Sequence, residues 1–245
     1  MQTASNSAFA RQLLRRVAAF QSPWGRACHY AALCWERLAW RQFRLGAALA
    51  KRALDIVGSG CALIMLGPLF LLIAILIRME DGGPVIFTQV RVGRFGRIFR
   101  MYKFRSMRVD AEKRLMEILA ANQHGAGVTF KMKDDPRITR IGKWIRKLSF
   151  DELPQFVNVL IGDMSLVGPR PPLPREVALY SLADRRRLAV QPGITCIWQI
   201  SGRAEIDFHG QVKLDVQYIE NQNLWEDLRI LRKTIPAVVS GSGAY

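Results

Sequence analysis

The sequence predicts an α+β protein, mostly helical, in which a membrane-inserted re-entrant helix precedes a cytoplasmic domain with a small β-sheet or hairpin. Three observations carry this. Residues 56–77 form a run of 22 without a charge, long enough to reach across a hydrocarbon core of about 30 Å. Gly67-Pro68 interrupts that run near its middle, and basic residues flank it on both sides. Two β-patterned stretches, VIFTQVRV and RIFRMYKF, follow around Gly93 and Gly96, and helical periodicity dominates much of what remains.

The break in the apolar run has a chemical cause. Pro68 has no N–H for the carbonyl of Ile64, and its ring crowds the preceding turn, so the helix should kink there. The flanks give the topology. Arg37, Arg41, Arg44, Lys51 and Arg52 precede the run; Arg78, Arg91, Arg94, Arg97 and Arg100 follow it. Positive charge belongs on one side of a membrane. A helix that enters, bends at Gly67-Pro68 and leaves on the same face satisfies both facts, with a straight span as the alternative.

Three regions follow: a basic amphipathic segment (1–50), the membrane helix (51–78) and a cytoplasmic domain (79–245). The first segment does not resemble a signal peptide, being Arg-rich and broken by Gln, Ser and Pro. Phe9, Leu13, Val17 and Phe20 have helical spacing among arginines, as do Trp35, Leu38, Trp40 and Phe43. Such a segment lies on a membrane interface, or packs on the domain or on a second subunit of a homodimer.

Composition bounds the function class. The chain has 36 basic and 20 acidic residues, a net charge of +16, and 50% hydrophobic residues, which excludes a charge-driven disordered chain. Basic and apolar together point to nucleic acid or to an anionic membrane surface. No zinc finger or RNP-like pattern supports nucleic acid, so it is not an expected partner. Cys28, Cys34, Cys61 and Cys196 form no CxxC pair and read as unpaired thiols. There is no phosphate loop, no G-x-G-x-x-G, no D-x-D and no G-x-S-x-G.

Within the domain, residues 110–121 read as a helix and VTFKM (128–132) as a short strand. DDPRITRIGKWIRK reads as a turn and a short basic helix. Ser149 and Glu152 fit a capping box, whereas Pro154 favours a helix starting at Phe150 or Asp151. Either way Asp151 and Glu152 fall at a helix N-terminus, where they serve as caps or as chemistry. The segment from Gln191 to Phe208 reads as strands and turns. A helical tail follows, with Leu214, Val216, Ile219, Leu224, Leu228 and Leu231 assigned to the core.

The motifs then form an ordered series: KRALDIVGSG and the apolar run, GGPVIFTQVRVG, MYKFRSM, DDPRITRIGKWIRKLSFDELPQ, GDMSLVGPRPPLP, QPGIT with WQISGR, LDVQYIEN and LWEDLRILRKTI. Over about residues 51–245 this series closely resembles the bacterial sugar transferases of the monotopic phosphoglycosyl transferase superfamily. The resemblance implies a reaction. A sugar 1-phosphate passes from a UDP-sugar to a polyprenol (undecaprenyl) phosphate, UMP is released, and a membrane-bound glycan is begun on the inner leaflet of the bacterial cytoplasmic membrane. It implies Asp151 as the nucleophile of a covalent aspartyl phospho-sugar, Glu152 as its partner, and Mg²⁺ held by Asp151 and Glu152.

It also implies donor or phosphate contacts at Lys103, Arg105, Arg137, Arg146 and Arg203. Arg170, held between two prolines, would offer a fork to phosphate, or else cap carbonyls. Gln155 and Asn158, one and two turns along from Asp151, orient the site or satisfy backbone. Two departures stand out. Gly67 replaces a serine that many relatives carry before the proline, and Cys196 stands where relatives usually have glycine.

Overall fold

A computed structural model describes residues 22–111, 135–202 and 206–240. The chain divides into two compact units, Met1–Ala50 and Lys51–Tyr245. In the first, the described residues are helical, and Trp24, Tyr30, Trp35 and Leu38 are exposed. The expected helix around Phe9 to Phe20 lies outside the described residues.

Helix α1 (Pro23–Met65) is followed by α2 (Gly67–Asp81), with Leu66 between them. The Leu45–Met65 part of α1 and α2 bend by 59°. Pro68 occupies the first turn of α2, where its missing N–H costs least. A Cβ at Gly67 would meet nothing within 4 Å, so the bend does not arise from a steric need for glycine there. No single described helix is long and apolar enough to cross a membrane, but the bent pair together has the length and composition. Its outer residues Ile64, Met65, Leu71 and Leu72 are exposed. Gly82, in the left-handed region at φ 68°, closes α2 by donating its N–H to Arg78 O.

Strands β1 (Ile86–Val92) and β2 (Ile98–Phe104) form the expected antiparallel hairpin, pairing Ile86 with Phe104 and Val92 with Ile98. The alternation of β2 sends Phe99 and Met101 into one core and Phe104 into a second. The first core joins them to Val159, Met164, Leu166, Val167, Tyr218 and Ile230. The second joins Phe104 to Ile73 and Ile77 of α2, with Ile145, and Phe70 meets Phe104 edge-on at 5.3 Å. Each such burial contributes about 1.5–3 kcal/mol.

Helix α3 (Arg140–Lys147) is capped by Thr139, whose hydroxyl accepts from Gly142 N. A 3₁₀ turn at Phe150–Glu152 leads into α4 (Gln155–Ile161). Strand β3 (Ser165–Val167) pairs in parallel with β4 (Gly193–Thr195), and between them lie α5 (Pro174–Ala178) and a 3₁₀ turn at Asp184–Leu188. Then come α6 (Ile197–Ser201), α7 (Phe208–Glu220) and α8 (Leu224–Ser240).

Four expectations need correction or limits. Ser149 caps nothing through its side chain: it sits at φ 56°, so the capping box does not form and Pro154 becomes the N-cap residue of α4. The segment read as strands and turns carries one short strand and a helix. In the tail, Leu224 and Leu228 are exposed, and the buried positions are Val212, Asp215, Tyr218, Asp227 and Ile230. All but the first two residues of the 110–121 helix, and the strand at 128–132, lie outside the described residues.

Beyond Ala50, helix α1 is fastened by polar residues. Lys51 Nζ donates to Asp227 Oδ2 (2.7 Å), Val167 O (3.1 Å) and Tyr218 Oη (3.2 Å). One residue on, Arg52 donates to Val159 O and Leu160 O, capping the end of α4. One turn on, Asp55 Oδ1 accepts from Ser165 Oγ and Leu166 N, fixing the start of β3. Ser59 Oγ returns to Asp55 O at 2.6 Å, a local bond within the helix.

Candidate active site

The site is built where β2, the Phe150–Glu152 turn, the 169–171 turn and the start of α6 converge. The left-handed Ser149 turns the chain sharply after α3, so that Asp151 and Glu152 project toward β2. Lys103 Nζ on β2 donates to Glu152 Oε1 at 2.8 Å and stands 3.6 Å from Asp151 Oδ2. A polar pocket opens beside them. Its wall includes Lys103, Glu152, Gln155 and Arg170. Arg91, Met101, Pro171, Gly193, Ile194 and Gln199 complete it. Gly193 is required for the close β3–β4 approach, since a Cβ there would lie 2.0 Å from Gly168 N.

The electrostatics split the two acids. Burial raises the Asp151 carboxyl above its ordinary value despite the attraction of Lys103, and the neighbouring Glu152 charge adds to the rise. Burial also works against the Glu152 carboxylate, but Lys103, Arg170 and Arg91 outweigh it and hold the group below its usual range. The result is one stable carboxylate beside one more easily protonated. Three cations in the wall face one carboxylate, an arrangement suited to a multiply charged anion.

The other expected residues have other surroundings. Arg105 pairs with Asp81 at the end of α2, and its Nη1 is buried without a partner. Arg137 grips Asp135 with Nε at 2.8 Å and Nη2 at 2.5 Å. Asn158, fully buried, accepts from Tyr102 N and donates to Arg100 O, so it pins α4 along β2. Arg146 lies in the last turn of α3, and its charge reaches Asp151. Arg203 lies outside the described residues. Gly67 and Pro68 stand at the bend.

Two wall residues with polar side chains were missed from the sequence, Arg91 and Gln199. Arg91 was counted only as a flanking cation. Strand alternation was the available signal: Gln89 pairs with Met101 and Phe87 with Lys103, which puts 89, 91, 101 and 103 on one face. Gln199 was hidden by reading its helix as a strand. Cys196, buried with its thiol pushed well up by burial, donates to Gln199 Oε1 at 3.2 Å.

Among the described residues no group of three or more His, Cys, Asp or Glu could hold a metal. Asp151 and Glu152 are the carboxylates at the pocket. They share Lys103 as a counter-charge, at 3.6 Å from Asp151 Oδ2 and 2.8 Å from Glu152 Oε1.

The sequence pattern of the family described as bacterial sugar transferase matches residues 46–241, and the chain belongs to that family. Its relatives include galactosyl transferase CpsE of Streptococcus agalactiae, 56% identical over 80% of this chain and 43% of the relative. Exopolysaccharide production protein ExoY of Rhizobium meliloti is 42% identical over 80% of this chain and 88% of its own length. Undecaprenyl-phosphate galactose phosphotransferase of Salmonella typhimurium is 45% identical over 80% of this chain and 41% of the relative. The chain thus spans less than half of two of these relatives and most of the third.

Proposed function

We propose that this protein transfers a sugar 1-phosphate from a UDP-sugar to undecaprenyl phosphate, releasing UMP and beginning a membrane-bound glycan such as an exopolysaccharide, capsule or O-antigen. The observation that carries the reading is the Asp151-Glu152 pair facing Lys103 at a pocket whose wall also holds Arg91 and Arg170. The names of the relatives, which include a galactose phosphotransferase acting with undecaprenyl phosphate, support the substrate class.

In this mechanism the diphosphate of the donor lies among Lys103, Arg170 and Gln155. An Asp151 oxygen attacks the sugar-bearing phosphorus and the P–O bond to UMP breaks, its electron pair leaving with UMP. An oxygen of the lipid phosphate then attacks the same phosphorus, and the acyl phosphate bond breaks to return the Asp151 carboxylate. Lys103 and Arg170 stabilise the phosphoryl charge in both displacements. Glu152, kept ionised by its cations, anchors Lys103 beside the nucleophile. Asp151 and Glu152 would supply hard oxygen ligands to Mg²⁺, and the ion would add neutralising charge there.

The bent helix pair, basic at both ends and apolar on its outer side, supports a re-entrant helix in the bacterial cytoplasmic membrane with the domain on the cytoplasmic face. Full-length protein in nanodiscs, given a panel of UDP-sugars with and without undecaprenyl phosphate, tests the reading. UMP release that needs the lipid, Mg²⁺ and Asp151 is expected. Release that persists in Asp151→Asn would sink the covalent mechanism.

A further inference from the structure

Arg91 is a buried guanidinium that the transfer chemistry above leaves without a task. It is 6% exposed, yet it carries a charge at the inner wall of a pocket that already holds Lys103 and Arg170. Burial and the adjacent Arg170 push its pKa down to about 10, so the position is electrostatically unfavourable. A buried cation kept at such a cost needs a geometric reason.

Its hydrogen bonds supply one. Nη1 donates to Pro171 O at 2.8 Å, while Nε and Nη2 both reach Gln89 Oε1, at 3.1 and 2.6 Å. The same turn is gripped on either side. Val92 N donates to Pro172 O at 3.0 Å, and Gly193 N donates to Pro169 O at 2.9 Å. The carbonyls of three prolines are therefore tied to β1 and β4. Between them stands Arg170, whose backbone is locked while its side chain remains exposed at the pocket. Lysine could not replace Arg91, because one ammonium lacks the planar fork that meets Gln89 and Pro171 together.

We propose that Arg91 is a positioning residue which, braced by Gln89, fixes the 169–171 turn so that Arg170 meets the diphosphate of the donor. The inference rests on the transferase reading for its ligand, and its test separates the two. In full-length protein held in nanodiscs, kcat/KM for the donor is measured for wild type, Arg91→Met, Arg170→Ala and the double variant. Arg91→Met alone should lose on the order of tenfold to a hundredfold, the scale of a misplaced binding group. In the Arg170→Ala background the same change should alter kcat/KM by no more than about twofold, since the partner it serves is gone. Losses that multiply would mean that Arg91 meets the donor by itself and would overturn the proposal, as would an unimpaired Arg91→Met.

The same cycle is read in the affinity for inorganic pyrophosphate by calorimetry, which needs no turnover. Wild type that releases no UMP from any donor ends the transferase reading, while the pyrophosphate cycle still decides the role of Arg91. Should Arg91→Met fail to fold, Gln89→Leu removes the brace from a half-buried strand position. Its smaller loss should likewise vanish with Arg170→Ala, and a loss that persists there overturns the proposal.

Discussion

Lys51 and Lys103 are almost equally buried, with 16% and 17% of their side chains exposed, and each faces carboxylate. Their settings differ in how completely the charges are answered. Lys51 meets three acceptors, and its partner Asp227, 1% exposed, also accepts from Tyr218 Oη at 2.7 Å. Lys103 makes one short bond to Glu152 and stands off from Asp151, in a wall where cations outnumber acids. Residue type and burial do not distinguish a fastening from a reaction site. The balance of partners does, because only the second arrangement leaves charge for a ligand.

The sharpest way to break this contrast is at Asp151. Asp151→Asn keeps the shape and removes the proposed nucleophile, so UMP release should fall to background, with the thermal midpoint little changed. Arg170→Ala comes next, with a loss of about 10²–10³ in kcat if it stabilises phosphoryl charge as proposed. Circular dichroism should show an intact fold.

Lys103→Met sharpens the comparison through pH. Asp151 is raised by burial and partly restrained by Lys103. Removing that cation favours the protonated acid further, so the acidic limb of kcat/KM should move to higher pH. An unmoved limb would assign the titration to another group. Lys51→Met should behave oppositely, costing about 3–5 kcal/mol of stability by leaving Asp227 buried and unpaired. Denaturant titration reads that loss, and protein that stays folded should keep its pH profile. The smallest effect is expected from Pro68→Ala, which restores one helix hydrogen bond and should straighten the break. Cysteine labelling on both flanks checks it; two cytoplasmic flanks in the variant would free Pro68 of responsibility for the bend.

What the sequence made legible was local. Pro68 announces the helix break through its missing N–H, and the β1–β2 hairpin announces itself by alternation and two glycines. Asp151-Glu152 could be placed beside a helix start from proline punctuation, although α4 begins only at Gln155, and local sequence left the pair as caps or as chemistry. What was illegible depended on partners far along the chain. Arg105 and Arg137 pair with Asp81 and Asp135, and nothing in the local sequence distinguishes such ion pairs from phosphate contacts. On α7 and α8, Ile219 and Leu231 do pack on the core, but Leu224 and Leu228 are exposed, and Asp215 and Asp227 are buried by ion pairs with Arg187 and Lys51, which no apolar periodicity foretells. The β3–β4 pair is too short to leave a pattern.

The fastening of α1 at Lys51, Arg52 and Asp55 makes that helix a depth gauge. From Arg52 to Leu66 it rises about 21 Å at 1.5 Å per residue. With its lower end bolted to the domain, the distance from the pocket to the bend is set by counting residues. One residue inserted between Asp55 and Leu66 would turn everything beyond it by about 100° and lift it by 1.5 Å. Ile73 and Ile77 of α2 could then no longer meet Phe104 and Ile145 while Lys51, Arg52 and Asp55 kept their partners.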